Sequence, residues 1–267
     1  MLELKKKPVI IDGDPGHDDA IALVLAAAYK DELDIKAITA VGGNQTLAKT
    51  TLNYRRIMAL LGLNDIEIAA GIDRPLVADL VIAPNYHGES GLDGPVLPEP
   101  VVSLSDMTAV ELMAKVLKES TEKVVIIATG PQTNVAALLL AHPELKEKIE
   151  FVSIMGGGLV HGNWSAAAEF NIFVDPEAAD VVFSSGVPVM MCGLDVTEKA
   201  MVYPEEWEKI RALDNPVAKT VAGWCDFFFI VYSSCGTRLL VISFGKILGI
   251  GSACIHAVRL FSFTDDQ

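Results

Sequence analysis

The sequence predicts an α/β fold, an open and mostly parallel (Rossmann-like) sheet with helices on both faces, as one domain over residues 1–267. Two observations carry this. Short apolar runs bounded by glycine alternate with stretches of helical pattern, as in consecutive βαβ units. The chain has 267 residues, 51% of them hydrophobic, enough for one large α/β core.

The elements follow in order. A first strand, Pro8–Asp12, leads into a helix over Asp19–Tyr29. A strand over Ile35–Val41 precedes a helix over Leu47–Gly62, where Leu52, Ile57, Leu60 and Leu61 form the spaced apolar set of a one-sided helix. Strands over Ile66–Gly71, Val124–Gly130, Phe151–Gly157 and Val187–Val196 are expected, with helices over Met107–Ser120, Thr133–Ile149 and Pro176–Gly186. No internal repeat or low-complexity linker interrupts them. The stretch Ala78–Val102 breaks the alternation. It is rich in Gly and Pro and too long for an ordinary connection, so we expect a functional, mobile loop over the site.

A formal charge of −14 argues against a nucleic-acid or anionic-membrane partner. Cys192, Cys225, Cys235 and Cys254 show no CxxC spacing and read as thiols of a reducing compartment. No secretory leader is evident. The greasy stretch from Phe227 is broken by Arg238 and Lys246, so no membrane span is expected. These features predict a soluble, cytoplasmic protein.

In an open parallel sheet the ligand sits beyond the carboxyl ends of the strands. The first strand ends there in IIDGDPGHDD, with Asp12, Asp14, Asp18 and Asp19. The second ends in GGNQ with Asn44, the fourth in ATGPQTN with Thr129 and Asn134, the fifth in MGGG with Met155, the sixth in CGLDVT with Asp195. Four crowded carboxylates repel unless a cation neutralises them or one keeps a proton. Oxygen-only ligands favour a hard ion, Ca²⁺ or Mg²⁺. A blander reading has Asp18 and Asp19 at a helix N-terminus and Asp12 capping a turn. It explains one or two aspartates better than four.

DGDPGHDD resembles the DxDPGxDD signature of the inosine-uridine-type nucleoside hydrolases. Further matches follow in order: GGNQT at Gly42, NYHGESGLDGP at Asn85, ATGPQTN at Ala128, IMGG at Ile154 and GNWSAAAEFNIFVDPEAA at Gly162. The resemblance covers about residues 8–232, and the HDD variant at His17 resembles the pyrimidine-preferring bacterial subgroup. It implies calcium-dependent hydrolysis of the N-glycosidic bond of a ribonucleoside, uridine or cytidine for preference, to ribose and free base. By the same resemblance Asp14 is the general base and a Ca²⁺ ligand, Asp19 a bidentate ligand, and the Thr129 carbonyl a backbone ligand. Asp18, Asn44, Asn163, Glu169 and Asn171 fall at ribose-binding positions. Met155 lines the sugar pocket and His87 lies on the base side. A homodimer or homotetramer is implied, with a small-molecule ribonucleoside as the partner.

These residue types suit the chemistry. Glycosidic cleavage passes through an oxocarbenium-like cation, which carboxylates and amide oxygens stabilise. A metal lowers the pKa of water, so a carboxylate suffices as base. Glu169 and Asn171 flank Phe170 and would point the same way if extended. His142 and His161 read as surface residues, and Asp195 as a structural acceptor at its strand end.

The pattern fails after Tyr232. The resemblance leads one to expect a His-Asp pair there, the Asp a further calcium ligand and the His on the base side, but residues 233–267 contain none; His256 is followed by Ala257. A truncated or out-of-frame tail is one expectation, a divergent member another. Two other readings stand beside the hydrolase. One is a nucleoside- or ribose-binding pseudoenzyme lacking the His-Asp segment. The other is a haloacid-dehalogenase-like phosphatase, with Asp12 as nucleophile, Asp14 as acid-base and Mg²⁺.

Overall fold

The computed structural model describes residues 6–199 and 203–234. Six strands form one sheet: β1 (Lys7–Gly13), β2 (Leu33–Ala40), β3 (Glu67–Ala70), β4 (Val124–Ala128), β5 (Ile149–Met155) and β6 (Val189–Cys192). Every pairing is parallel, in the order β3-β2-β1-β4-β5-β6. The helices are α1 (His17–Ala28), α2 (Leu47–Leu61), α3 (Pro84–His87), α4 (Ala109–Glu119), α5 (Thr133–Ala141), α6 (Phe170–Val174), α7 (Pro176–Phe183), α8 (Leu194–Thr197), α9 (Pro204–Arg211) and α10 (Pro216–Ser234).

Side chains alternate across a strand, and this decides the two faces. Val9 and Ile11 of β1 and Val125 and Ile127 of β4 join a core with Leu23 of α1, Ile57 of α2 and Trp224 of α10. Ile10, Ile126, Val152 and Ile154 point the other way, against Met113 of α4, Leu138 of α5 and Val182 of α7. With both faces covered, the strands can be apolar at nearly every position. The expected α/β class, with helices on both faces, is what the chain forms.

Local corrections have local causes. The helix expected over Thr133–Ile149 ends at Ala141, and Pro143–Lys148 forms a 3₁₀ turn. Proline has no amide hydrogen and restricts the residue before it. The last expected strand is shorter: β6 stops at Cys192, and Leu194–Thr197 is helical. Phe170–Val174 is helical rather than extended, because the Glu169 side chain accepts the Ile172 amide and caps it. The helices after residue 203 were not read from the sequence. The expectations about the tail fall on residues 235–267, outside the described residues. Among the described residues no helix is long and apolar enough to cross a membrane.

The sheet order also locates the site. From β1 the chain builds β2 and β3 on one side, then returns to place β4 on the other. The loops after β1 and β4 therefore part, and a crevice opens between them.

Helix α2 ends at Gly62, which has the left-handed φ of 69° and nothing within 4 Å of where a Cβ would stand. Gly62→Ala should therefore cost backbone strain alone, about 1 kcal/mol. A urea titration should show a lower midpoint with an unchanged slope.

Candidate active site

The crevice holds the aspartate cluster of β1 and the first turn of α1. Asp12 faces inward. Its Oδ1 accepts from Thr39 Oγ1 at 2.6 Å and Asn134 Nδ2 at 2.8 Å, while Oδ2 meets no donor. Burial pushes its pKa up to about 6, with the two hydrogen bonds pulling back. Asn134 also donates to the Ala40 carbonyl at 3.0 Å and accepts the Ile72 amide at 2.9 Å. One side chain thus ties together the carboxyl ends of β1 and β2 and the chain that follows β3.

Asp14 is fully buried. Its Oδ2 accepts the Asn44 amide at 2.6 Å, and its Oδ1 has no donor. Burial, then the neighbouring charge of Asp19, raises its pKa well above the carboxylate range. A Cβ on Gly43 would lie 2.1 Å from Asp14 Oδ2, and one on Gly130 would lie 2.5 Å from Oδ1. The glycines of the GGN and ATG turns are the space into which this carboxylate fits. Asp19, in the first turn of α1, accepts the Gly16 amide at 3.0 Å and Asn44 Nδ2 at 3.4 Å through Oδ2. Its Oδ1 makes no full hydrogen bond, and burial raises its pKa to about 6, against the pull of the nearby Thr129 hydroxyl and the Gly16 amide.

Above these lies a cleft. Asp18, Asp19, Asn44, His87, Thr129, Met155, Asn163, Glu169 and Asn171 all line it. Asp14 lies behind Asn44, through the bond to its amide. The sequence candidates thus converge. Several hold the cleft's own framework. Asn171 Nδ2 donates to the Thr129 carbonyl at 2.9 Å and the Met155 carbonyl at 3.1 Å. Glu169 Oε2 accepts the Gly157 amide at 3.0 Å. Asn163 Oδ1 accepts the Phe170 amide at 2.8 Å.

Aromatic residues complete the lining, and sequence reasoning missed them. Tyr86, Trp164, Phe170 and Phe228 all face the cleft. Tyr86 and Trp164 approach with ring centroids 6.3 Å apart. Trp164 and Tyr86 adjoin residues already singled out, so proximity could have flagged them. Phe228 comes from α10, and nothing local announces it.

The segment 78–102 carries α3 and supplies Ala83, Tyr86 and His87 to the cleft. Gln45 Nε2 holds it through the Glu89 carbonyl at 3.1 Å, and Asn53 Nδ2 through the Ser90 carbonyl at 3.0 Å. His87 packs on His17, and both are buried. Burial lowers His17 to about 4 and holds His87 well below the usual imidazole range. His161 is exposed, beside Glu198, and His142 is partly exposed beside Glu144. Asp195 accepts the Leu159 amide at 2.6 Å. It therefore links α8 to the loop after β5 rather than holding its own strand end.

The donor set suits a hard cation. Asp14 and Asp19 each present a buried carboxylate oxygen without a hydrogen bond, and Asp19 and Thr129 line the same cleft. Among the described residues no three Asp, Glu, His or Cys side chains gather into a fuller metal shell.

Buried acidic oxygens at the switch point of a parallel sheet, under a cleft of amides and aromatics, mark the ligand site of an α/β enzyme. Solved structures agree on the fold. A plant nucleoside hydrolase superposes with a TM-score of 0.86 at 28% identity, over 95% of this chain and 80% of that one. A purine-preferring ribonucleoside hydrolase from Gardnerella vaginalis gives 0.82 at 30% identity, over 91% of this chain and 80% of that one. The inosine-uridine preferring nucleoside hydrolase family profile matches residues 9–244, past the point where the sequence resemblance was expected to end. The chain belongs to this family, whose members are N-glycosyl hydrolases. It is similar to the pyrimidine-specific ribonucleoside hydrolase RihA of Citrobacter koseri, 61% identical over 221 residues, 83% of this chain and 70% of that protein. The same enzyme from Escherichia coli O7:K1 is 59% identical over 83% of this chain and 71% of that one. The phosphatase alternative is thereby set aside.

Gly43→Ala should displace the Asp14 carboxylate. We expect kcat/KM for nucleoside hydrolysis to fall by roughly 10²-fold or more, read alongside circular dichroism to show that the sheet persists.

Proposed function

We propose that this chain hydrolyses ribonucleosides with a preference for pyrimidines such as uridine and cytidine, using calcium, to give ribose and free base. The observation that carries the reading is the pair of buried carboxylate oxygens without donors, on Asp14 and Asp19, with Asp19 lining the amide-rich cleft and Asp14 just behind it. The base preference is supported by the curated relatives, which are named pyrimidine-specific. A purine-preferring enzyme shares the fold, so the fold does not choose the base. Calcium is supported by donor chemistry: carboxylate and carbonyl oxygens suit a hard cation that tolerates irregular geometry.

Asp14, Asp19 and the Thr129 carbonyl would hold the ion, and when bound it supplies the Lewis acidity that lowers the pKa of water. Asp14 takes the proton from the attacking water as the carbon–nitrogen bond lengthens. Positive charge then grows on the ribose ring, above a floor of carboxylates that stabilises it. Asp18, Asn44, Asn163, Glu169 and Asn171 orient the ribose hydroxyls. Asn171 also steadies the Thr129 carbonyl by its hydrogen bond. Met155 packs against the sugar, and His87 faces the base. A cytoplasmic homodimer or homotetramer completes the proposal; light scattering checks the assembly.

The direct test is base release from uridine, cytidine and inosine, with and without added Ca²⁺. Calcium-dependent release, fastest with the pyrimidine nucleosides, is expected, and Asp14→Asn should lower kcat by roughly 10³-fold. Nucleoside binding without release by the folded chain would establish a pseudoenzyme instead.

A second test uses pH. In the ion-free site Asp19 keeps its proton up to about pH 6. Protons and calcium compete for deprotonated ligands, so binding weakens as pH falls through that value. The calcium-induced rise in melting temperature should be larger at about pH 8 than at about pH 5.5. An equal rise at both would show that calcium binding does not compete with protonation of Asp19 in this range.

A further inference from the structure

A hydrogen-bonded chain runs inward from the base side of the cleft, through His87 and His17 to the main-chain carbonyl of Asp93. His17 Nε2 lies 2.7 Å from that carbonyl. A carbonyl only accepts, so His17 Nε2 carries a hydrogen. The His17 ring is fully buried, stacked on Phe227 at 4.8 Å and edge-on to Phe228 at 4.7 Å. Its nitrogens bond only to Asp93 O and His87. The nearby Asp93 carboxylate acts on the ring only through space, because its oxygens are held by the Glu89 and Ser90 amides and the Ser90 hydroxyl; an imidazolium would be buried with no counter-charge in contact, so the ring is neutral. His17 Nδ1 is then a bare lone pair, and His87 Nδ1 lies 3.2 Å from it. Two lone pairs at that distance repel. His87 Nδ1 therefore carries the hydrogen and donates it to His17.

One contact points the other way. The His17 amide nitrogen lies 3.4 Å from His87 Nδ1. It is the longer of the two: the Nδ1–H form costs the amide this long contact, while the reverse form leaves the shorter ring-to-ring contact repulsive. A neutral imidazole holds one N–H, so His87 Nε2 is unprotonated. With Nδ1 turned inward, Nε2 is the nitrogen left for the cleft that His87 lines.

We infer that His17, anchored by the Asp93 carbonyl, is a positioning residue that sets His87 in its Nδ1–H form, so that Nε2 meets the nucleobase as a hydrogen-bond acceptor. The ligand class is a base whose edge offers an N–H, such as the ring N–H of uracil or the amino group of cytosine. In this form His87 cannot hand a proton to the departing base. The identity of the ligand rests on the nucleoside hydrolase reading; the hydrogen-bond direction does not.

The test is long-range ¹⁵N–¹H NMR of the full chain labelled at histidine, without nucleoside, with His87 assigned by a His87→Gln variant. A pyridine-type Nε2 and a pyrrole-type Nδ1 on His87 are expected. The reverse pattern, or a doubly protonated ring, overturns the inference. His17→Phe keeps a stacking ring and removes the acceptor. In it His87 should change to the Nε2–H form, and KM for uridine should rise roughly tenfold, the worth of one buried hydrogen bond, with kcat changed less. An unchanged His87 signal in that variant overturns the role of His17. The wild-type spectrum decides the tautomer even if the variant does not fold. An acceptor Nε2 in a chain that cleaves no nucleoside would overturn the functional reading alone.

Discussion

Asp12, Asp14 and Asp19 sit out of water around the end of β1, and each keeps an oxygen with no donor. Desolvated carboxylates resist ionisation, and crowding makes this worse. Much of the rim around them reduces that strain. The Asn44 amide and side chain, the Gly16 amide, Thr39 and Asn134 all donate to these acids. What those donors leave unsatisfied is the part a cation can satisfy.

The same constraint shapes the backbone. The Asp14 carboxylate occupies the space beside Gly43 and Gly130 that side chains would fill. Asn134, which binds Asp12, also joins the ends of neighbouring strands. Stability and function share these residues, and holding the acids in place holds the sheet rim in place. The aromatic part of the lining is built differently. Tyr86, Trp164 and Phe228 are flat and apolar, suited to an aromatic base, while the floor is polar and suited to a sugar.

The α/β class was legible because a parallel sheet covered on both faces writes continuous apolar runs punctuated by glycine. The polar candidates were legible because they cluster in short motifs at strand ends, where an open sheet places its ligand. Glu169 and Asn171 were expected to share a face by extension, and instead line the cleft from a capped helical turn. The cause lies in a hydrogen bond from the Ile172 amide, which a pattern of side chains does not display. Likewise Pro143 ends a helix that its apolar spacing alone would have continued.

By itself, the sequence determined the layered α/β class, the strand ends that carry chemistry and the acidic character of the site, because each is set by local periodicity or by adjacency along the chain. Only the tertiary structure decided which strands part to open the crevice, which acids lose their solvent, and that Phe228 reaches the cleft and His17 packs on His87. Those facts depend on which distant segments touch. Burial, hydrogen-bond direction and the pKa shifts that follow are properties of contacts, and contacts between β1, β4 and α10 exist only once the sheet has closed its two faces.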